Sequence, residues 1–579
     1  MFETFRVPKS LCVGGAFLAF SMALFGQTNY TISLSASPPG DGVVSGGGTN
    51  QAGTTNTVKA ATNNGYSFID WTSNGVAVSS STNYTFTLDT NVALVANFGP
   101  ALTVAVSASP AQDGTVGGGG IYASNTSVTV TAVNNNGFAF TNWTLDGSVV
   151  DTNASYTFTL GNNVDLVANF VNNPVVAQGS EFSILGARPG DQVWPSLSMS
   201  ASGGCIAWQD NWIDRKGGGV GATLLGPAPG FNAGQPIRVN KVVAGSQLNP
   251  QVQLLANGNI IFVWQGSVTV DGRPYIYARF SKNTGEGAAA YGTNFYTGDI
   301  QVNTYTADQQ VNPAVAALPD GSAIITWASY GENGSGNMWG IYARRLTAAG
   351  RATKAENDGY TKQFLVTQYA AYNQRNPAVA TLAGGNYVIA WVSEQERSFN
   401  SVDVYARVFS PAGAPVTDEI AVNSGTSPCD SPAVAPLNDG GFTVVWAQRD
   451  AVVLTNGWDV WGRAFSATGS PEVSDFRINT YLYGDQYAPK IAAGPSGSLV
   501  VWTSLGQDGS REGVFGRFLT GGTQVAGAEF QVNTTWISQQ MQPAVAWNGV
   551  DHFLVAWTSF VGASGFDLYG QAYILSSSP

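Results

Sequence analysis

A phrase that recurs seven times between residues 195 and 557 constrains the fold more than any other feature of this sequence. Each copy opens with a proline and a short Ala/Val run, passes through a glycine-bearing turn, and ends an aliphatic run in tryptophan. The interval of roughly 55 to 64 residues is typical of radial arrays in which each repeat forms one four-stranded sheet. The prolines are Pro195, Pro250, Pro313, Pro377, Pro432, Pro489 and Pro543, and the tryptophans are Trp208, Trp264, Trp327, Trp391, Trp446, Trp502 and Trp557.

The last copy stops after its third strand, near Tyr573. Residues 181–185, ahead of the first proline, have the pattern of the missing fourth strand. Donating that strand pairs two edges that an open array leaves exposed. We therefore expect an all-β protein: two small β-modules in tandem, followed over residues 181–579 by a seven-bladed β-propeller closed by an N-terminal strand.

Residues 29–98 and 101–170 repeat each other at a spacing of 72 residues. Short alternating runs broken by Gly and Asn turns predict a small β-module in each copy, with Trp71 and Trp143 in the cores. Both copies contain Ser-Ala-Ser-Pro, a glycine cluster, Gly-aromatic-x-Phe-x-x-Trp and a closing Val-Ala-Asn-Phe.

This order of motifs resembles the bacterial repeat domain related to the internalin B-repeat. The resemblance implies spacer or adhesive modules of an exported protein, and it carries over no binding residue. The expected modules span residues 27–99 and 100–171, with a linker at 172–180.

Arg6 and Lys9 precede an apolar run at residues 11–25, and small residues lie near its end. This pattern predicts a signal peptide, residues 1–26, cleaved near Gly26. The run is shorter than the roughly 20 residues that cross a membrane, which argues against a membrane anchor. Because no second apolar run follows it, we expect no membrane span after its removal. The expected location is secreted, extracellular or cell-surface. The formal charge of −12 argues against a nucleic-acid partner.

Polar residues also recur in the repeats, and their recurrence favours structural roles. Glutamine stands three residues before the proline in six copies, with Cys429 in the other. An arginine of the third strand and an acidic residue opening the fourth predict cross-strand ion pairs. The glutamines are Gln192, Gln247, Gln310, Gln374, Gln486 and Gln540; the pairs are Arg279–Asp299, Arg407–Glu419, Arg463–Asp475 and Arg517–Glu529.

Catalytic motifs are scarce. His552 is the only histidine, so neither a Ser-His-Asp nor a multi-histidine metal site can be assembled. In its turn it is expected to be exposed and incidental, and Cys205 is expected in the core. Two carboxylates suffice for glycoside hydrolysis, but nothing in the spacing of the loop carboxylates selects a pair. These are Asp191, Asp210, Asp214, Asp308, Glu332, Glu394, Glu396, Asp450, Asp485, Asp508 and Glu512.

No cofactor is expected, with calcium as the alternative. Gly/Asp/Asn-rich loops around Asp508 and Glu332 have the composition of oxygen-ligand calcium loops, although neither fits the EF-hand pattern.

Four loop tryptophans, Trp212, Trp339, Trp458 and Trp536, are candidates for stacking on sugar rings, with structural plugs as the equal alternative. The repeats resemble those of exported bacterial proteins that generally lack an assigned activity. Function is expected in loops held by the scaffold.

The first hypothesis is a non-catalytic binding or adhesion protein, a monomer whose loop face engages an extracellular glycan or surface protein. The alternatives are a carbohydrate-active hydrolase or lyase using loop carboxylates, and a structural spacer of the envelope. Two carboxylates about 5 to 10 Å apart in a central cleft favour the hydrolase, and a flat face of tryptophans favours binding.

Overall fold

The computed structural model describes residues 28–135, 138–267, 272–282, 295–334, 338–349, 362–450 and 452–575. The expected signal peptide lies outside these residues. They are almost entirely strands and turns, with two short 3-10 helices at Leu454–Asn456 and Gly562–Ser564. Within the described ranges, no helix combines the length and apolar character needed to cross a membrane.

The chain divides into two compact units. The first consists of the described residues up to 108, with 115–133 and 142–168. The second consists of residues 109–114, 134–141 and the described residues from 169 onward.

The N-terminal repeats form short strands whose side chains alternate between core and solvent. Trp71 and Trp143 are fully buried, as expected for core residues. The strands are β1 (Asn29–Ser37), β2 (Gly42–Ser45), β3 (Gly48–Gln51), β4 (Thr55–Thr62), β5 (Tyr66–Ser73), β6 (Val76–Ser79), β7 (Asn83–Thr87), β8 (Val92–Ser109), β9 (Gly114–Gly117), β10 (Gly120–Ala123), β11 (Ser127–Asn134), β12 (Phe138–Leu145), β13 (Ser148–Asp151), β14 (Ser155–Thr159) and β15 (Val164–Asn172).

One long strand, β8, serves both N-terminal repeats. Its first half pairs in parallel with β1, where Ile32 lies opposite Val92. Its second half pairs antiparallel with β10, where Gly120 lies opposite Val104. The residues between the repeats therefore continue a strand instead of forming a loop.

From residue 175 onward, the described strands form seven four-stranded antiparallel sheets. Each of the first six sheets takes its strands in chain order. Sheet one is β17 (Gln192–Ser200), β18 (Gly203–Asp210), β19 (Gly219–Leu225) and β20 (Ile237–Arg238); sheet two is β21 (Gln247–Leu254), β22 (Ile260–Gly266), β23 (Tyr275–Ser281) and β24 (Ile300–Gln301); sheet three is β25 (Gln310–Ala317), β26 (Ala323–Tyr330), β27 (Trp339–Leu346) and β28 (Phe364–Leu365).

The next three sheets follow the same order. Sheet four is β29 (Gln374–Thr381), β30 (Tyr387–Glu394), β31 (Val402–Phe409) and β32 (Ile420–Ala421); sheet five is β33 (Cys429–Pro436), β34 (Phe442–Arg449), β35 (Trp458–Phe465) and β36 (Phe476–Arg477); sheet six is β37 (Gln486–Ala493), β38 (Gly497–Leu505), β39 (Glu512–Thr520) and β40 (Gln524–Gln531).

Sheet seven combines strands from the two ends of the second unit. It contains β41 (Gln540–Trp547), β42 (His552–Phe560), β43 (Phe566–Leu575) and β16 (Val175–Ser183). The strand β16 pairs antiparallel with β43, from Val175 opposite Leu575 to Ser183 opposite Tyr569. The strand begins at residue 175 instead of the predicted residue 181. This extension buries Val175 in the apolar cluster of sheets six and seven.

The first strands of consecutive sheets contact one another in order, and β41 of sheet seven contacts β17 of sheet one. The seven repeat tryptophans are at most 1% exposed, and they pack between sheets with aliphatic residues of the second strands. The tryptophan of each repeated phrase is therefore a core residue.

Each first strand bulges at the residue before the repeat proline. The pairing register shifts there, and φ lies between 50° and 58°. We call these seven positions the bulge residues: Trp194, Asn249, Asn312, Asn376, Ser431, Ala488 and Gln542.

The repeated glutamines are structural, as predicted. All six are at most 1% exposed. Gln247 is typical: its side-chain amide donates to the carbonyl of Ala244 at 2.9 Å, and its oxygen accepts from Asn240 at 2.9 Å. They fix the entry loops of six of the seven sheets and are buried away from solvent.

The repeated arginines join neighbouring sheets more than neighbouring strands. Two of the four expected ion pairs are present, Arg279–Asp299 at 4.0 Å and Arg463–Asp475 at 3.4 Å. For Arg407 and Arg517 the expectation is wrong, because among the described residues neither forms an ion pair. Each guanidinium instead donates to a carbonyl of the preceding sheet: Arg279 to Val239, Arg407 to Val366, Arg463 to Val422 and Arg517 to Ile478.

The acidic residues of the same sheets accept backbone N–H groups from that preceding sheet. Glu419 accepts from Gln368 at 2.6 Å, and Asp475 accepts from Ser424 at 2.7 Å. Glu181 of β16 does the same for sheet six, accepting from Thr534 at 2.6 Å. The arginine and the acid of one sheet thus form a clamp on the sheet before it.

Candidate functional site: a polar rim at the bulged first strands

The bulge residues lie where the first strands of neighbouring sheets meet, and three of them form a chain of amides. Asn249 donates to Asn312 at 3.2 Å, and Asn312 donates to Asn376 at 2.8 Å. Asn376 then donates to a carboxylate oxygen of Asp430 at 2.8 Å. These side chains are partly exposed, so they line a polar edge shared by sheets two to five.

This chain of amides ends at the only described arginine that pairs with two carboxylates. The Nε of Arg375 lies 3.2 Å from Oε1 of Glu394, and its Nη1 lies 2.8 Å from Oδ2 of Asp430. The three side chains are 27% to 31% exposed. We call Arg375, Glu394, Asp430 and the amides of Asn312 and Asn376 the rim.

Hydrogen bonds orient both carboxylates of the rim. Asp430 accepts from Arg375, from Asn376 and from the backbone N–H of Ser431 at 2.6 Å. Glu394 accepts from Arg375 at 3.2 Å and from the amide of Asn373 at 2.8 Å. One guanidinium thus holds two carboxylates close together, and glycoside hydrolysis uses two carboxyl groups about 5 to 10 Å apart.

Charge at the rim is concentrated on Arg375. Burial lowers the pKa of its guanidinium, but hydrogen bonds and attraction from Asp430 and Glu394 outweigh burial and raise it. A charged group bonded to two carboxylates in a partly buried site forms stronger hydrogen bonds than an exposed pair does. Arg375 therefore positions the two carboxylates relative to each other.

The four candidate tryptophans are not brought together. Trp212 and Trp536 are 50% and 54% exposed, in loops of sheets one and seven. Trp339 and Trp458 are half-buried at the starts of β27 and β35, and Trp339 packs on Tyr330 at a ring distance of 5.1 Å. Among the described rings, no two of the four contact each other.

The two candidate calcium residues lie in different sheets. Glu332 accepts a hydrogen bond from Ser329 at 2.7 Å and another from the amide of Gln363. Asp508 accepts from the backbone N–H of Ser510 at 3.0 Å, and its other oxygen is buried with no hydrogen-bond partner. Among the described residues, no group of three or more His, Cys, Asp or Glu side chains is arranged to hold a metal ion.

Most other loop carboxylates stabilise their own turns. Asp210, for example, accepts from the indole of Trp208 at 2.9 Å and from two backbone N–H groups. The same holds, with backbone or amide donors, for Asp214, Asp308 and Asp450. The carboxylates of Asp191, Asp485 and Glu512 instead accept from residues of another sheet or its entry loop, namely Phe566, Trp458 and Gln539.

Glu396 differs from these turn carboxylates because it faces another carboxylate. It lies in the loop between β30 and β31, and its side chain is next to that of Glu419, the residue before β32. Burial raises the pKa of Glu396 to about 7; the nearby Ser393 opposes this effect, and the charges of Glu419 and Asp403 add to it. Glu396 therefore holds a proton near neutral pH.

His552 is buried, and its expected exposure is wrong. It is 4% exposed at the first position of β42. Its Nδ1 lies 2.6 Å from Oδ1 of Asp551, and its Nε2 contacts Oε1 of Gln178 in β16. The pairing of β16 with β43 brings Gln178 to this turn, and spacing along the chain does not reveal that neighbour. Cys205 is buried in the core as predicted, and Cys429 is buried as well.

The sequence interpretation missed Arg375 and Asp430, although a signal for them exists. They stand two residues before the repeat proline, where the other sheets carry Val193, Leu248, Val311, Tyr487 and Met541. Charged residues at this position in two adjacent repeats break the pattern at the point where the first strands meet.

Comparison with known protein families bears on the N-terminal repeats. Residues 32–101 and 104–174 each match the divergent InlB B-repeat domain. The resemblance seen in the sequence is therefore confirmed for this part of the chain. A search of curated proteins finds no similar sequence.

Solved structures similar to the chain include several enzymes. One is an α-L-arabinofuranosidase of Fusarium graminearum in complex with arabinobiose, at 11% identity and a TM-score of 0.39, covering 56% of this chain and 92% of that one. An α-L-arabinanase of Penicillium chrysogenum has 13% identity and a TM-score of 0.38, covering 57% and 93%. The polysaccharide lyase Uly1 has 10% identity and a TM-score of 0.42, covering 67% and 91%.

These three structures are named as enzymes, and two sialidases are similar as well. This finding contradicts the expectation that the protein is not an enzyme.

Proposed function

We propose that the protein is a carbohydrate-active enzyme, a glycoside hydrolase whose two carboxyl groups are Glu394 and Asp430. The observation that carries the proposal is the attachment of both carboxylates to Arg375 on a partly exposed rim. Hydrolysis of a glycosidic bond requires two carboxyl groups on either side of the scissile bond, one as proton donor and the other as base or nucleophile.

The hydrogen bonds of the rim divide the two roles. Asp430, whose oxygens are held by three donors, suits the base or nucleophile. Glu394 has a longer side chain and suits the proton donor, provided that it takes up a proton from solvent when the substrate displaces its 3.2 Å bond to Arg375. The amides of Asn312 and Asn376 supply groups for sugar hydroxyls.

We further propose that the seven sheets are the blades of a seven-bladed β-propeller, closed by β16. The cyclic contacts of the first strands support this architecture. The signal-peptide pattern of residues 1–26 and the divergent InlB B-repeat domains support an exported protein that acts on an extracellular glycan.

The test is a screen of plant, algal and bacterial polysaccharides for release of reducing ends. Glu394→Gln and Asp430→Asn are each expected to lower kcat by at least about 100-fold, the usual size of an acid–base contribution. The matched controls Asp450→Asn and Glu512→Gln change loop carboxylates outside the rim and should retain activity.

Turnover that survives both rim substitutions would contradict the assignment of the site. Binding of a polysaccharide without turnover of any would contradict the hydrolase. Formation of an unsaturated product would identify a lyase instead.

A further inference from the structure

Lys490 is the only charged residue at its position in the seven first strands. It follows the proline of sheet six, where the other sheets carry Ser196, Gln251, Ala314, Ala378, Ala433 and Ala544. The bulge residue of its own strand, Ala488, is equivalent to Asn376 of the rim. Lys490 therefore lies two residues further along the first strand than the level at which the rim is built.

The side chain at this position lies between the first strands. Ser196, the equivalent residue of sheet one, accepts a hydrogen bond from the backbone N–H of Val252 in the first strand of sheet two, at 3.0 Å. Lys490 is exposed, although β37 packs against the first strands of both neighbouring sheets. The exposed side chain of Lys490 thus belongs to the surface that neighbouring first strands form together.

Lys490 is unpaired. Among the described residues it forms neither an ion pair nor a hydrogen bond, and the protein surrounding it lowers the pKa of its ammonium group by desolvation alone. No neighbouring carboxylate contributes, so no acidic group neutralises Lys490. An exposed ammonium without a partner is free to pair with an anionic ligand.

Within the described first strands, Arg375 and Lys490 are the cationic residues. Arg375 is already neutralised by two carboxylates, and the strand of Lys490, β37, packs against β33, which carries Asp430. A sugar that carries a negative charge therefore finds an uncompensated positive group on the strand next to the rim. A neutral sugar leaves that charge unpaired.

We propose that Lys490 is a binding subsite for an anionic group, a carboxylate or a sulfate ester, of the carbohydrate that the rim acts on. This inference rests on the proposed function for the identity of the ligand as a carbohydrate. It narrows the substrate class to acidic polysaccharides.

The test compares charged probes with their neutral counterparts by isothermal titration calorimetry on the whole protein. Oligogalacturonate is compared with its methyl ester, and a sulfated galactan oligosaccharide with its desulfated form. The wild type should bind at least one charged probe about tenfold more tightly than its neutral counterpart, equivalent to roughly 1.4 kcal/mol. The pair that shows the preference identifies a carboxylate or a sulfate.

Lys490→Met should abolish the preference, whereas Lys241→Met, at an exposed loop lysine, should retain it. Removal of an unpaired desolvated charge should leave the thermal midpoint unchanged or raised, so a misfolded variant is recognised by a lower midpoint. For that case, ¹³C-methylation of lysines in the wild type provides a second readout, because a bound anion should raise the pKa of Lys490.

Equal binding of charged and neutral probes, or a preference that survives in the Lys490→Met variant, would overturn the subsite. Its failure and that of the hydrolase are distinguishable. A preference for charged probes that depends on Lys490, without turnover of any polysaccharide, supports the subsite and contradicts the proposed hydrolase activity. Turnover of an acidic polysaccharide by the Lys490→Met variant at the wild-type rate contradicts the subsite and leaves the proposed hydrolase standing.

Discussion

The carboxyl group of Glu396 faces that of Glu419 in sheet four, and one shared proton would relieve their repulsion. Two other sheets hold an amide and a carboxylate in the same arrangement. In sheet three Gln363 donates to Glu332, and in sheet six Gln507 donates to Glu529. Sheet four needs a proton where the other two use the hydrogens of an amide.

This pair predicts that stability depends on pH. Folding raises the pKa of Glu396 to about 7, so between the usual range of a glutamate and pH 7 the folded state keeps a proton that the unfolded state releases. Stability therefore falls as the pH rises through this window. Glu396→Gln should be more stable than the wild type above pH 7, by about 1 kcal/mol after allowance for solvent screening.

Urea unfolding at pH 4 and pH 8 measures this effect. The two proteins should have similar midpoints at pH 4 and differ at pH 8. Glu419→Gln should gain less than Glu396→Gln, because Glu419 also accepts backbone N–H groups of Gln368 and Tyr369. Parallel pH profiles of wild type and Glu396→Gln would show that the shared proton is absent.

The clamp between sheets predicts a large effect at Arg463. Its guanidinium donates to the carbonyl of Val473 at 3.1 Å and to that of Val422 in the preceding sheet at 2.9 Å. Arg463→Met removes both bonds and should cost about 3 kcal/mol. Arg463→Gln should retain part of this, because Gln571 donates to backbone carbonyls of β16 in sheet seven.

The control for this substitution is Arg477→Met, at an exposed position of β36. It should change stability by less than about 0.5 kcal/mol. Denaturation midpoints from circular dichroism compare the three variants. An Arg463→Met protein as stable as the control would mean that the clamp contributes little.

Substitution of His552 should lower the free energy of unfolding, although the sequence places this residue in a turn where we expected it to be exposed. Its ring is buried and contacts Asp551 and Gln178. His552→Ala leaves a cavity and an unpaired amide, and should cost about 2 kcal/mol or more. Gln178→Ala removes one of the two contacts and should cost less.

Unfolding midpoints in urea test the order of these two variants. If both lie within about 0.5 kcal/mol of the wild type, as surface substitutions usually do, β16 does not dock on His552 as described.

Both cysteines of the second unit should be inert in the folded protein. Cys205 and Cys429 are at most 1% exposed. Burial raises the pKa of each thiol, and the thiolate is the reactive form. In a Cys12→Ser chain, thiol reagents should label neither residue at pH 8 until denaturant is added. Rapid native labelling of one residue would locate an opening in sheet one or sheet five.

The repeat pattern was sufficient to predict the strands, because proline, turn and tryptophan recur with the period of a four-stranded sheet. It also predicted the buried glutamines, since a polar residue required in every sheet serves packing between sheets. The arginines were assigned to the wrong partners in two cases. Residue spacing shows which residues lie on adjacent strands. It does not show that a carbonyl of the preceding sheet lies closer to the arginine than the expected acidic partner does.

The rim was not predicted, because it combines four strands of three sheets, with Asn312 on β25 and its charged residues on two neighbouring sheets. Glu394 ends β30, Arg375 begins β29, and Asp430 begins β33. The bulge before each proline turns these residues toward a neighbouring first strand, and a bulge leaves no mark in the alternation of apolar residues. The charged residues Arg375 and Asp430 are the signal of the rim in the sequence. They stand out only when the repeats are aligned on their prolines.

The pairing of β16 with β43 has a mechanical consequence. Val175 and Leu575 lie opposite each other at one end of this pair. A force applied between these two residues loads the strands at adjacent ends, so their hydrogen bonds break one after another, as in a zipper, instead of all together in shear. Under tension, the β16–β43 pair is expected to separate at low force and to release β16 while the other six sheets stay intact.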